Sequence, residues 1–182
     1  LALSVGAQPP TRPSQPPEGD LSVTALYTSQ VWRWGGLPGA RLFDTGLGRL
    51  VFGAVTIALG VMKLFRWSLP ALRHGLLQRH LAIDRVTERA GVGQVLEIAS
   101  GLSRRGVTMA GRDPGLTYVE VDLPHVVAQK RELLARSEEG RAVAARPNWI
   151  LVAGDAADLD LAEHLDPARP AVVIAEGLLM YL

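Results

Sequence analysis

Val95-Leu-Glu-Ile-Ala-Ser-Gly-Leu-Ser-Arg-Arg-Gly106 decides how this chain folds. Its first five residues form a short β-rich run that opens into Ala99-Ser-Gly-Leu-Ser103, where small side chains permit a tight turn and let backbone N–H groups approach a ligand closely. Three similar runs follow: Thr117-Tyr-Val-Glu-Val121, Trp149-Ile-Leu-Val152 and Ala171-Val-Val-Ile-Ala175. Helical or loop segments separate them. The clearest helix covers about His125 to Ser137, where Pro124 suits the first turn and Val126, Val127, Lys130, Leu133 and Leu134 recur at helical spacing. Strands alternating with helices predict an α/β fold built on a parallel sheet of about four strands.

Parallel sheets bind ligands beyond the carboxyl ends of their strands, where the strand order reverses. The turn at Ala99 and Gly101 belongs at that edge, and Glu97, inside the strand that feeds it, is with them a candidate cofactor-binding residue. Asp122 closes the second strand about twenty residues further on, where a nucleotide-binding sheet sets an acid against ribose hydroxyls. The same residue could instead cap the helix that starts at Pro124, and the two roles are compatible. Gly154-Asp155 follows the third strand, where an acid could accept from the exocyclic amine of an adenine; Asp158 competes, and a solvated loop acid is the plain alternative. Glu176 ends the fourth strand beside Gly177. Polar features thus gather on one edge of all four strands.

Several chemistries are disfavoured. Ala99, Gly101 and Ser103 fall where a dinucleotide fingerprint places glycines, and no phosphate-loop pattern occurs, which argues against cofactors with two or three phosphates. With no cysteine, thiolate nucleophiles and cysteine zinc sites are absent, and a cytoplasmic setting is the expectation. His74, His80, His125 and His164 show no metal-ligand spacing, and surface or capping roles are expected of them. A formal charge of +1 on 182 residues supplies no field toward nucleic acid or an anionic membrane, leaving a small molecule as the expected partner.

Residues 8–20 carry five prolines and predict a disordered lead over 1–20. From 21 to 90 apolar residues recur at three and four positions, broken at Gly35-Gly36, Pro38-Gly39 and Pro70, which predicts a helical region. Residues 91–182 carry the α/β pattern. The apolar run Leu50 to Met62 is shorter than the roughly 18 to 20 residues of a membrane span and predicts a buried or lid helix. Leu1 to Ala7 lacks the basic lead of a signal peptide. Gly177 to Leu182 has no helix-stop signal, so more sequence is expected after Leu182.

At Val95–Gly106, at Tyr118-Val-Glu-Val-Asp-Leu-Pro124 with Lys130 following, and at Ala175-Glu-Gly-Leu-Leu-Met-Tyr-Leu182, the chain resembles the leucine carboxyl methyltransferase family, in its bacterial branch of polyketide-type O-methyltransferases. Weaker similarity reaches back to Leu21-Ser-Val-Thr-Ala25 and Arg79-His-Leu-Ala-Ile-Asp84. The resemblance implies a Rossmann-like class I methyltransferase sheet of seven strands, of which four are legible here, and S-adenosyl-L-methionine as cofactor; with the remaining strands expected beyond Leu182, the 182-residue chain alone is expected to bind it poorly. It further implies that Arg79 pairs with the methionine carboxylate, that the turn around Ala99 and Gly101 offers backbone contact, and that Asp122 binds the ribose. Asp155 with Ala156 would recognise the adenine, and Glu176 would touch the cofactor. Arg105 matches the family arginine; Arg104 beside it is a departure. So is Ser103, where the leucine carboxyl branch commonly has Asp, which puts a protein-phosphatase substrate in doubt.

Methyl transfer to a carboxylate, with its reference pKa near 4, needs no general base, whereas a phenol or alcohol calls for one. No catalytic histidine–acid pair is visible in the sequence, which favours a carboxyl acceptor. Trp32, Trp34, Phe65 and Trp67 are candidate walls for an apolar acceptor, with core packing the alternative. Two rival readings remain: a nicotinamide-dependent oxidoreductase on a similar sheet, and a non-catalytic methyltransferase-like binding module.

Overall fold

Val95, Glu97 and Ala99 alternate with Leu96 and Ile98, and that period of two sorts them onto opposite faces of a strand. The computed structural model describes residues 22–64 and 72–178, and it realises this strand as β1 (Gln94–Ile98). With β2 (Thr117–Asp122), β3 (Trp149–Ala153) and β4 (Ala171–Ile174) it forms a parallel sheet in the order β3-β2-β1-β4. Each strand lies within a residue or two of its expected position. Chain order runs outward from β1 through β2 to β3, then jumps to the other side for β4. The reversal point therefore falls between β1 and β4, the position at which open parallel sheets bind ligands beyond their strand ends.

Helices α4 (Arg105–Arg112) and α5 (Pro124–Ala135) make the crossovers, and the short α6 (Glu138–Ala144) follows α5. Their side of the sheet holds the main core, where Val95, Leu102, Val107, Tyr118, Val126, Leu134 and Trp149 are buried together. On the other face Leu96, Val119 and Val121 are covered by Ile150, Val152, Ala156, Leu159 and Leu161.

The helical region comprises α1 (Val23–Trp34), a 3-10 turn at Ala40–Phe43, α2 (Gly46–Leu64) and α3 (Leu72–Ala90). The expected break at Gly35-Gly36 is real: Gly35 caps α1, and Gly36 takes a left-handed φ of 68° that L side chains avoid. The apolar run Leu50 to Met62, expected as a buried or lid helix, forms a helix that is only partly buried. One face of α2 packs on α1, with Tyr27 stacked on Phe52 at 5.5 Å, but Leu50, Ile57 and Val61 are exposed. No described helix is long and apolar enough to cross a membrane. The proline-rich lead, Pro70, Phe65, Trp67 and residues 179–182 lie outside the described residues.

Candidate functional site

The turn after β1 takes an unusual backbone path. Ala99 and Gly101 both have φ of 53°, and for alanine this left-handed conformation is strained by about 1 to 2 kcal/mol. Hydrogen bonds hold it in place: Ser100 N–H donates to the Val121 carbonyl at 3.4 Å and Ser103 N–H to the Ser100 carbonyl at 2.9 Å. The Gly101 N–H donates to Asp122 Oδ2 at 2.5 Å, and the Leu123 N–H donates to Oδ1 at 2.8 Å. Leu123, not Asp122, occupies the cap position of α5, so Asp122 does not serve as its cap. A carboxylate offers about four acceptor positions; the backbone takes two and leaves two. Burial pushes the Asp122 pKa up, an effect the two backbone donors oppose.

The neighbouring strand ends join this edge. The Gly154 N–H donates to the Asp122 carbonyl at 2.9 Å, tying the turn after β3 to the end of β2. Asp155 accepts from the Ala157 N–H at 2.9 Å in a local turn, and Ala156 packs against the second core cluster. The start of α1 closes from above: a Cβ placed on Gly101 would lie 3.7 Å from the Ala25 methyl. The Ser100 hydroxyl is buried at this turn with no partner among the described residues.

Beyond the end of β4, Glu176 meets Arg79 of α3. Arg79 Nε donates to Glu176 Oε1 at 3.0 Å, with the arginine side chain 45% exposed and the carboxylate 11%. The other oxygen, Oε2, turns inward to Arg105 Nη2 at 2.8 Å and His80 Nδ1 at 3.1 Å. Burial alone would raise the Glu176 pKa, but the bonds from His80 and Arg105 outweigh it and hold the carboxyl down at about 2.

A buried ionic network underlies both halves. Arg105 binds Asp84 through Nε at 2.7 Å and Glu97 through Nη1, and Arg104 also binds Asp84. Glu97 accepts from the Tyr118 hydroxyl at 2.8 Å and from the Ser103 hydroxyl at 3.2 Å. Lys130 pairs with Glu120 and donates to the Ser103 carbonyl at 2.8 Å, while Trp149 Nε1 donates to Glu120 at 3.0 Å. The carboxylates Asp84, Glu97, Glu120 and Glu176 thus meet the cations Arg79, Arg104, Arg105 and Lys130, and the formal charges balance.

Gly101, Asp122 and Asp155 therefore share one edge, with Arg79 and Glu176 at the neighbouring strand end. Glu97 is sealed beneath that edge, 2% exposed, and meets the turn through Ser103. His80 departs from the expected surface or capping role: it is fully buried and stacked on Trp32 at 4.4 Å, and burial lowers its pKa against the raising effect of Glu176. The sequence reading overlooked this ionic network, although it left traces. Glu97 and Glu120 interrupt apolar strands, and Lys130 sits in the apolar stripe of α5. A charge repeated at core positions signals a buried partner.

A parallel α/β sheet with a strained small-residue turn after the strand at its reversal point has the arrangement with which open α/β folds bind ligands at their strand ends. The leucine carboxyl methyltransferase family profile matches residues 43–182, and the chain belongs to that family. It is 32% identical over 146 residues to leucine carboxyl methyltransferase 1 of Eremothecium gossypii, covering 67% of this chain and 45% of that one. Over 93 residues it is 40% identical to a Mycobacterium sp. strain KMS protein assigned by name to the S-adenosyl-L-methionine-dependent methyltransferases, covering 51% of this chain and 31% of that one. The chain thus spans less than half the length of these relatives. Among solved structures it is similar to the glycopeptide N-methyltransferase MtfA complexed with sinefungin, at 30% identity, 54% of this chain, 36% of that one and a TM-score of 0.39.

Proposed function

We propose that the protein is an S-adenosyl-L-methionine-dependent O-methyltransferase acting on a small-molecule acceptor of polyketide type, at a carboxylate in preference to a hydroxyl. The observation that carries this reading is Asp122, which is anchored to the turn by Gly101 and retains acceptor positions for two vicinal hydroxyls. The residues present fit the cofactor. The strained turn at Ala99 and Gly101 lets a ligand approach the backbone, and the buried Ser100 hydroxyl lacks a protein partner among the described residues.

In this reading Asp122 binds the ribose, Asp155 and Ala156 meet the adenine, and Arg79 pairs with the methionine carboxylate beside Glu176. Glu97 positions the turn from below through Ser103. The bound cofactor supplies an electrophilic methyl group on a sulfonium. The protein's task is then to hold donor and acceptor in line and to exclude water, and proximity carries most of the rate. A carboxylate acceptor is ionised at neutral pH and needs no base. The structure does hold a histidine–acid contact, His80 with Glu176 at 3.1 Å, but His80 is fully buried and stacked on Trp32, which suits an acceptor that needs no base. Residues 21–90 act as the cap and acceptor wall over the sheet of 91–182, and the polyketide-type assignment rests on Ser103, where the leucine carboxyl branch commonly has Asp.

The test is a calorimetric titration with S-adenosylmethionine and, separately, a reduced nicotinamide dinucleotide, followed by a labelled-methyl assay over carboxylic acids and phenols. With the full-length protein, binding of the first ligand alone and transfer to carboxylic acids are expected. Dinucleotide binding, or transfer confined to phenols, would overturn the cofactor or the acceptor assignment respectively.

A further inference from the structure

We infer that Arg105 is a positioning residue of the cofactor site: it grips the Glu176 carboxylate from inside the fold and so sets the rim pair Glu176–Arg79, without reaching the ligand itself. The inference rests on the S-adenosylmethionine reading above and adds a residue to which that reading gives no role.

Arg105 opens α4 directly after the cofactor turn, and its side chain is wholly buried. Its guanidinium gathers one carboxylate from each of three places in the fold. Nε holds Asp84 of α3 at 2.7 Å, Nη1 holds Glu97 of β1, and Nη2 holds Glu176 beyond β4 at 2.8 Å. The group is planar, with its donors in a fixed fork. Once Asp84 and Glu97 occupy two of its edges, the direction of the third is determined, and Glu176 must meet it there.

Glu176 needs such a tether. It lies past the last paired residue of β4. Its two oxygens divide the work: Oε2 faces inward to Arg105 and His80, and Oε1 faces outward to the half-exposed Arg79. Rotation of the carboxylate would move both at once. Arg105 therefore transmits the geometry of the core to the two charged groups beyond the end of β4. A lysine keeps the charge but not the fork, so it cannot reproduce this restraint.

The test compares wild type, Arg105→Lys, Glu176→Gln and the double variant by calorimetric titration with S-adenosylmethionine, with a thermal melt of each. Arg105→Lys is expected to weaken binding by about tenfold, the loss of one well-aligned charge-assisted bond. In the Glu176→Gln background the same change should cost less than about twofold. The pH profile supplies a second readout. Glu176 faces Arg79 and His80 from α3 and Arg105 from α4, and Arg105 in turn faces Asp84, Glu97 and Tyr118. Wild-type affinity should stay level between about pH 5 and 8, whereas Arg105→Lys should lose affinity toward the acid end as Glu176 becomes protonated.

Should Arg105→Lys fail to fold, Asp84→Asn keeps Arg105 and releases one edge of its fork, with a smaller loss expected that again disappears beside Glu176→Gln. Wild-type-like binding by these variants, or an equal loss in both backgrounds, overturns the inference alone. A wild-type protein that binds no S-adenosylmethionine overturns the cofactor reading, and the inference with it.

Discussion

Glu97 and Glu120 stand in register across β1 and β2, and both carboxylates are buried on the same face of the sheet. Two like charges on adjacent strands disfavour one another, and Glu120 contributes to the raised pKa of Glu97 after burial itself. The arrangement survives because each has its own cation, Arg105 for Glu97 and Lys130 for Glu120.

Removing one of those cations should therefore be severe. Lys130→Met strands Glu120 in the core and should destabilise the fold by about 3 to 5 kcal/mol, whereas Lys130→Met with Glu120→Gln should recover much of that loss. Denaturant unfolding of both proteins checks the order. Equal stability of the two would show that the charge is not what matters.

Gly106 lies in α4, where alanine would ordinarily be the better residue by about 1 kcal/mol. Here a Cβ would meet the Glu120 carboxylate, with Trp149 Nε1 at 2.7 Å and Tyr118 Cδ1 at 2.9 Å. Gly106→Ala should accordingly cost about 1 to 3 kcal/mol, reversing the helix-propensity expectation. A lowered melting temperature is the readout.

Ala99 behaves oppositely. Its φ of 53° suits glycine, so Ala99→Gly should leave stability unchanged or raise it by up to about 1 kcal/mol, while Ala99→Val should lower it. The pair of melts tests whether the turn is strained as described.

Acid should unfold the protein partly through Glu176. Its folded pKa of about 2 lies below the unfolded value near 4.3, so its pairing contributes stability above the unfolded value. That contribution, on the order of 3 kcal/mol, is lost as pH falls from about 4 toward 2. Melting wild type and Glu176→Gln across this range should show a steeper acid decline in wild type.

Asp122→Asn keeps the side chain's shape but halves its acceptor capacity. Since Gly101 and Leu123 already use two positions, S-adenosylmethionine affinity should fall by about 1.5 to 3 kcal/mol, measured calorimetrically. Undiminished affinity would remove the ribose assignment.

Periodicity alone carried the sheet. Alternation in Val95–Ala99 and Thr117–Val121, helical spacing from Val126 to Leu134, and Pro124 at a helix start are local features, and local backbone preference is what they report. The edge containing Gly101, Asp122 and Asp155 was legible for the same reason, because parallel strands deliver their carboxyl ends to one side.

What tertiary structure decided was the fate of the charges. Nothing in Arg79-His-Leu-Ala-Ile-Asp84 says that His80 and Asp84 are buried, and nothing in Ser103-Arg-Arg-Gly106 says that Arg105 reaches Asp84, Glu97 and Glu176 at once. The same holds for α2, whose apolar composition suggested burial while its outer face stays exposed. A strand's phase depends on its neighbours in sequence. Whether a charge is desolvated depends on partners many residues away, and only the folded chain brings those partners within reach.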